Sequence, residues 1–249
     1  MGLNTSILFT DLIKELDLFV SAITSDNKTF KLKDGREVIS EYDLRLETLL
    51  VKKIYDYFPN HNIVAEESSY VQTDSPYTWY IDPIDNTVGF LSGENEVVTS
   101  ISLKKNKKYV ESLIYKWNDQ TSYTSVQFKE EINSDVLSSR SKGISTCVYI
   151  SKDHFKTAQN FYTSLWEKRL GLRMSGSAAH DLLLVAQKKR FAHISFAAHP
   201  WDIEAGLHLV EKSGGYVKRL KDFSEMSCIA FIAGINKSIV EELEKMVKW

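Results

Sequence analysis

Apolar residues near the start of the chain recur at helical intervals. Phe9, Leu12, Ile13, Leu16, Phe19, Val20 and Ile23 fall three or one apart and share one face, which predicts an amphipathic helix over the first 24 residues. The polar stretch SDNKTFKLKDGREV that follows has no period, and Gly35 marks a turn within it, so it reads as a loop or short hairpin. Leu46, Leu49, Leu50 and Ile54 restore the helical spacing. Ser40 and Asp43, three residues apart, have the form of a capping pair that opens this second helix.

Strand patterns then take over. Thr78-Trp79-Tyr80-Ile81 is a short run of β-formers that stops at Asp82-Pro83. Residues 97–103 and 109–116 form a predicted hairpin about the basic tip Lys104–Lys108, and 121–128 adds a further antiparallel strand. In the second half, a strand at 145–150 precedes helical patterns at 153–169, 177–189 and 203–213, the last stopped by Ser213-Gly214-Gly215. A strand at 229–235 leads to a final helix, for which Ser238 and Glu241 supply a capping box. Antiparallel strands first and alternating elements later predict an α/β protein, a layered α+β sandwich in two subdomains, 1–140 and 141–249.

Charge and composition narrow the partners. Against 31 Lys+Arg stand 33 Asp+Glu, a net charge of −2, which lacks the positive field that non-specific nucleic-acid binding needs. No apolar run approaches the roughly 20 residues of a membrane span, and Asp11, Glu15 and Asp17 sit where a signal peptide would be basic or apolar. Cys147 and Cys228 are too few for a disulfide framework and lack metal-ligand spacing, which fits a cytoplasmic protein.

Three acidic groups stand apart from the charged helix faces. Glu66-Glu67 follows the apolar Ile63-Val64-Ala65, Asp82-Pro83-Ile84-Asp85-Asn86-Thr87 ends a strand, and Asp202 lies in the first turn of a helix. Each alone fits a solvated strand end or an ordinary cap. Together they can converge, and several carboxylates sharing one site must take up protons or cations. With only oxygen ligands, the cation expected is Mg²⁺ or Mn²⁺ rather than Zn²⁺. A helix start at Asn86-Thr87 adds amides for an anion, so the combination describes a phosphate site. His199 and His208 flank the third group and read as structural, and Trp166 and Trp201 read as core residues.

At these residues the chain resembles the inositol monophosphatase family of Mg²⁺-dependent phosphatases. The resemblance rests on Ala65-Glu66-Glu67-Ser68, on Trp79 through Thr87, on Ser175-Gly176-Ser177-Ala178-Ala179 with Asp181-Leu182, and on Pro200-Trp201-Asp202-Ile203-Glu204-Ala205-Gly206. It implies alternating layers of helices and sheets, a homodimer, and a small phosphorylated substrate. By this resemblance Glu66, Asp82 and the Ile84 carbonyl hold one metal, and Asp82, Asp85 and Asp202 a second. A third, weaker ion lies near Glu66, and Mn²⁺ is a possible substitute. Glu66 and Thr87 activate water, with Asp43 accepting a hydrogen bond from Thr87. Asp85, Asn86 and Thr87 meet the phosphate, Gly176, Ser177 and Ala178 approach the rest of the substrate, and Lys31, Lys33 and Asp34 match a mobile flap. Two positions depart from the pattern: Asn86 replaces a common glycine, and Ser195 replaces an acid that binds a substrate hydroxyl. Lys188, Lys189 and Arg190 form either a solvated helix end or a second anion seat. The same blocks occur in 3′-phosphoadenosine 5′-phosphate phosphatases and fructose-1,6-bisphosphatases, which keeps those substrates open. A non-catalytic phosphate-binding member is the reading from another class, and no ligand position is missing here to support it.

Overall fold

The computed structural model describes residues 2–23, 29–33, 37–68, 73–128, 143–146, 154–222 and 228–248. Asp34, Gly35 and Cys147 lie outside them, as do residues 147–150 of the strand expected at 145–150. The opening amphipathic segment is α1 (Gly2–Ser21), and the polar stretch after it forms a two-stranded antiparallel hairpin of β1 (Phe30–Lys33) and β2 (Glu37–Ser40). Helix α2 (Glu41–Tyr57) starts at the Ser40 cap. The Ser40 hydroxyl accepts from the Tyr42 and Asp43 amides, while the Asp43 carboxylate accepts from the Ser40 amide at 2.7 Å. A cap of this kind contributes about 1 kcal/mol.

The first sheet has the order β3 (Asn62–Ala65), β4 (Tyr77–Asp85), β5 (Val98–Lys105), β6 (Lys108–Lys116) and β7 (Thr121–Thr124), antiparallel except for the β3–β4 pair. Strand β4 continues through Asp82-Pro83 instead of stopping there, because a bulge accommodates the proline. Asp82 lies opposite Ser100 but Asp85 opposite Val98, so three steps on β4 face two on β5. The short helix α3 (Thr87–Ser92) follows at once.

The second sheet has the order β11 (Tyr216–Asp222), β12 (Ile229–Gly234), β10 (Ala192–Ala198), β8 (Ile144–Thr146) and β9 (Leu172–Arg173). Its helices are α4 (Phe155–Glu167), α5 (Ala178–Ala186), α6 (Pro200–Lys212) and α7 (Lys237–Glu244). The last helix is capped by Asn236, whose side chain accepts from the Ile239 amide at 3.0 Å, and not by the expected Ser238.

Three apolar clusters set the layering. Leu8, Leu12 and Leu16 of α1 and Leu46, Leu50 and Ile54 of α2 pack on Trp79, Ile81 and Leu113 of the first sheet. Leu182, Val185, Leu207 and Val210 of α5 and α6 fill the space between Val98 and Ile114 of the first sheet and Phe231 of the second. Phe161 and Leu165 of α4, with Val240 and Leu243 of α7, cover the far face of the second sheet. The result is five layers, helix–sheet–helix–sheet–helix, in the alternation of helices and sheets that the family resemblance implied. Among the described residues no helix is long and apolar enough to cross a membrane.

Candidate active site

Within a regular strand, residues three apart face opposite sides of the sheet. The β4 bulge cancels that alternation and lets Asp82 and Asp85 serve one hollow. Its geometry is held from behind, where Trp117 Nε1 donates to Thr99 Oγ1 at 2.9 Å and Thr99 donates to the Pro83 carbonyl at 2.7 Å. Glu66 and Glu67 follow β3, which runs parallel to β4 and pairs Ala65 with Ile81, and the Glu66 amide donates to the Ile81 carbonyl at 3.2 Å. Asp202 arrives on the first turn of α6, anchored where Ser100 Oγ donates to the Trp201 carbonyl at 3.0 Å. The His199 amide donates to one Asp202 oxygen at 3.2 Å.

These groups feel one another. Burial pushes the Glu66 carboxyl well above the usual range, with the charges of Asp202 and Glu67 adding to it. Asp82 is raised well above its ordinary value by burial and then by Glu66, Asp85 and Asp202, and it shares a hydrogen bond with Glu66. Burial lifts Asp85 to about 6, against the stabilising Ala179 amide and Ser177 hydroxyl. Asp82 is buried and its Oδ1 has no hydrogen-bond partner. An anionic oxygen left in that state costs several kcal/mol. Among the described residues no three acid, histidine or cysteine side chains close on a single ligand point, although Glu66, Asp82, Asp85 and Asp202 stand near enough to act on one another's charge. The oxygen-only donor set and the orphaned Asp82 Oδ1 fit a hard divalent cation such as Mg²⁺.

Beside the hollow, Thr87 Oγ1 lies 2.9 Å from Asp43 Oδ1 and 3.1 Å from the Ile84 carbonyl, so its single proton is directed to one of these two acceptors. Asp43 is buried and its carboxyl is raised by that burial, yet it spends one oxygen on the α2 cap and the other on Thr87. Asn86, in place of a glycine, adopts the left-handed conformation at φ 79°. Its side-chain oxygen accepts from the Gly89 amide at 2.9 Å, and its own amide turns to the Asp85 carboxylate. Of the first-turn amides in α3, those of Thr87 and Val88 retain no intrahelical acceptor.

The third block lies against the same site. Ser177 and Ala178 are buried. Ser177 Oγ donates to Asp85 Oδ2 at 2.8 Å and caps α5, so it fixes Asp85 and is not presented to solvent. Gly176 remains exposed at φ 87°, where a Cβ would strike the Asn86 side-chain oxygen at 2.9 Å. Ser195 is fully buried in β10 with an unpaired hydroxyl, and Lys188, Lys189 and Arg190 follow the end of α5. His199 stacks on Trp201 at 4.5 Å, and His208 is held by Ser112 at 2.8 Å, as structural histidines; Trp201 is a core residue as expected, whereas Trp166, on the outer face of α4, is 84% exposed and not part of the core.

Two site contacts were not anticipated. Lys33 of the hairpin reaches Glu67 Oε2 at 3.0 Å and the Glu66 carbonyl at 3.1 Å, and buried Glu47 accepts from the Glu67 amide at 2.8 Å. The double acid at 66–67 was the available signal: the second carboxylate needs a partner of its own.

Comparison with known proteins bears on the same blocks. Residues 10–235 match the model of the inositol monophosphatase family. The chain is 25% identical over 237 residues to a putative Nus factor SuhB of Neisseria meningitidis serogroup B, covering 92% of this chain and 89% of that protein. It is 26% identical over 217 residues to a fructose-1,6-bisphosphatase/inositol-1-monophosphatase of Thermotoga maritima, covering 85% and 83%. A crystal structure of an IMPase/NADP phosphatase with Mg²⁺ and phosphate superposes with a TM-score of 0.80 at 20% identity, covering 97% of this chain and 94% of that one.

Proposed function

This chain belongs to the inositol monophosphatase family, whose members are phosphoric monoester hydrolases, and from that premise we propose that it cleaves a small phosphorylated metabolite, an inositol or sugar phosphate, in a Mg²⁺-dependent reaction. The observation that carries the reading is Asp82: a buried carboxylate with an orphaned oxygen, among Glu66, Asp85 and Asp202, beside the Thr87–Asp43 hydrogen bond.

Glu66, Asp82, the Ile84 carbonyl, Asp85 and Asp202 would hold two or three Mg²⁺ ions. Once bound, the ions supply positive charge that offsets the carboxylates, polarises the ester phosphate and acidifies water. The remaining work falls to the chain. Thr87 gives its proton to Asp43, so its oxygen lone pairs are free to accept from a water and orient it. Glu66 is partly exposed at the mouth of the hollow and takes that water's proton as general base. The Thr87 and Val88 amides at the start of α3 receive phosphate oxygens. Gly176 has no side chain and lets the rest of the substrate approach the backbone. Ser195, buried away from solvent, offers no charged acceptor for a sugar hydroxyl, so selectivity among inositol and sugar phosphates rests on other residues.

The test is phosphate release from inositol 1-phosphate, fructose 1,6-bisphosphate and 3′-phosphoadenosine 5′-phosphate with Mg²⁺. Hydrolysis of at least one is expected, with Asp82→Asn and Asp202→Asn each lowering the rate about 1,000-fold. Undiminished turnover in both variants overturns the metal assignment, and inertness toward all three esters overturns the substrate class.

A further inference from the structure

The lysine-rich hairpin tip borders a second cavity. Strands β5 and β6 are joined at Asn106-Lys107, both left-handed with φ 47° and 67°, the geometry of a tight two-residue hairpin. This turn, the C-terminal end of α6 and strand β11 border an open concavity of about 510 Å³, lined by Lys104, Lys107, Lys108, Lys212, Arg219 and a single acid, Glu211. The volume falls within the range of small-molecule sites.

The cavity floor is built, not incidental. Glu204, 3% exposed, accepts from Lys104 Nζ at 2.6 Å, from Arg219 Nη2 at 2.9 Å and from the Tyr109 hydroxyl at 2.5 Å. Lys104 is itself only 7% exposed and lies 4.5 Å from the Tyr109 ring centroid. Tyr109 and His208 stack face to face at 4.7 Å, and His208 Nδ1 is engaged by Ser112. Five cations face Glu211 and Glu204, which leaves a surplus of three positive charges around one concavity. In a chain whose overall charge is −2, that surplus is local and wants a multiply charged anion.

We propose that this cavity binds a small anion carrying two or more phosphate-type groups, at a site separate from the acidic hollow. The separation follows from strand register. Lys104 pairs with Thr78 and Ser100 with Asp82, four strand residues or roughly 13 Å along β4, and Asp202 and Glu204, two residues apart on α6, point to opposite faces of that helix. A solvent-open concavity of this volume, rimmed by exposed Lys107, Lys108, Lys212 and Arg219 above the recessed Lys104, suits a compact ligand. An extended nucleic-acid strand needs free ring faces for its bases, and here Tyr109 and His208 already cover each other. The inference stands independently of the phosphatase reading.

Calorimetric titration of the intact protein with methylenediphosphonate, a non-hydrolysable bisphosphonate, in excess Mg²⁺ tests it. Binding should persist in Asp202→Asn and weaken at least tenfold in Lys108→Ala/Lys212→Ala, while Lys108→Arg/Lys212→Arg retains it. Ester hydrolysis by the alanine double variant should match the parent, which also shows that it folds. Parental affinity in the alanine double variant, or loss of all binding in Asp202→Asn, overturns the proposal. So does binding of a short single-stranded RNA through these lysines in place of the bisphosphonate.

Discussion

Thr87 has one proton and two acceptors within reach, Asp43 at 2.9 Å and the Ile84 carbonyl at 3.1 Å. With the proton committed to either acceptor, the oxygen's lone pairs remain to accept from a third group. Thr87→Val keeps the shape and removes both functions. Its kcat is expected to fall about 100-fold or more with KM nearly unchanged, while Thr87→Ser stays close to the parent; steady-state kinetics on whichever ester is hydrolysed distinguishes the two. Chemistry-bearing residues elsewhere show how proximity can mislead. Ser145, His193 and Asp181 are all buried, and Ser145 Oγ lies 3.0 Å from His193 Nδ1. Asp181 also faces Nδ1, at 3.8 Å, so serine and acid compete for one nitrogen and no relay through the ring exists. At this scale the sequence announced Ser40 and Asp43 as a capping pair, because capping spacing is local. That Asp43 turns its second oxygen to Thr87, 44 residues away, is a tertiary fact with no local signature. The choice of Asn236 over Ser238 as the last cap was likewise open to sequence, since both residue types cap well and lie two positions apart.

Elements were legible where their periodicity was pure. The α1 stripe and the 97–116 hairpin emerge near their expected bounds. Strands β10 and β11 were missed for opposite reasons. Ala192–Ala198 is buried on both faces, so it shows no alternation and follows directly on the charged Lys188–Arg190. Tyr216–Asp222 carries Lys218, Arg219 and Lys221 and resembles a solvated loop. The bulge in β4 escaped because its signal, a proline between two acids, also describes a turn. Helices α5 and α6 meet where a Cβ on Gly206 would stand 2.5 Å from Leu182 Cβ, so the glycine sets their spacing. Each helix starts at the hollow, α5 through the Ser177–Asp85 bond and α6 through Asp202. Gly206→Ala should destabilise the protein by about 1–3 kcal/mol by overpacking and raise the Mg²⁺ concentration for half-maximal turnover several-fold. Urea denaturation alongside a Mg²⁺ activation curve reads both, and an unchanged activation curve would show that helix spacing does not reach the metal site.

For the whole molecule, two sets of buried groups oppose each other in pH. Glu66, Asp82 and Asp85 are raised in the folded chain, Asp85 to about 6, so without metal their favourable contribution is complete below roughly pH 4 and is lost as pH rises through the folded values. His193, pushed down to about 3, and His180 and His208, to about 4, are kept neutral by burial. They cost stability as pH falls below roughly 6.5, where the unfolded chain takes up protons that the folded chain refuses. Under the proposed ligand assignment, Mg²⁺ would act only on the first set. Its stabilisation should therefore be larger at pH 8 than at pH 5.5, where protons compete for the same oxygens, while acid unfolding persists in saturating Mg²⁺. Thermal melts at the two pH values, with Mg²⁺ and with chelator, measure this; an equal shift at both would mean the carboxylates are not the ligands.

The five-layer order adds a temporal aspect to the hollow. Asp43, Glu66, Asp82 and Asp85 all belong to the first half of the chain, and Asp202 enters from the second on α6, the helix wedged between the two sheets. During synthesis the early acids can assemble while the ribosome is still making the later helices. The final carboxylate then has to approach negative charge already in place, so much of the electrostatic cost of the site falls on one docking event. A cell's free divalent cation would thus act on this protein twice, first as an aid to closing the chain and afterwards as a partner in turnover.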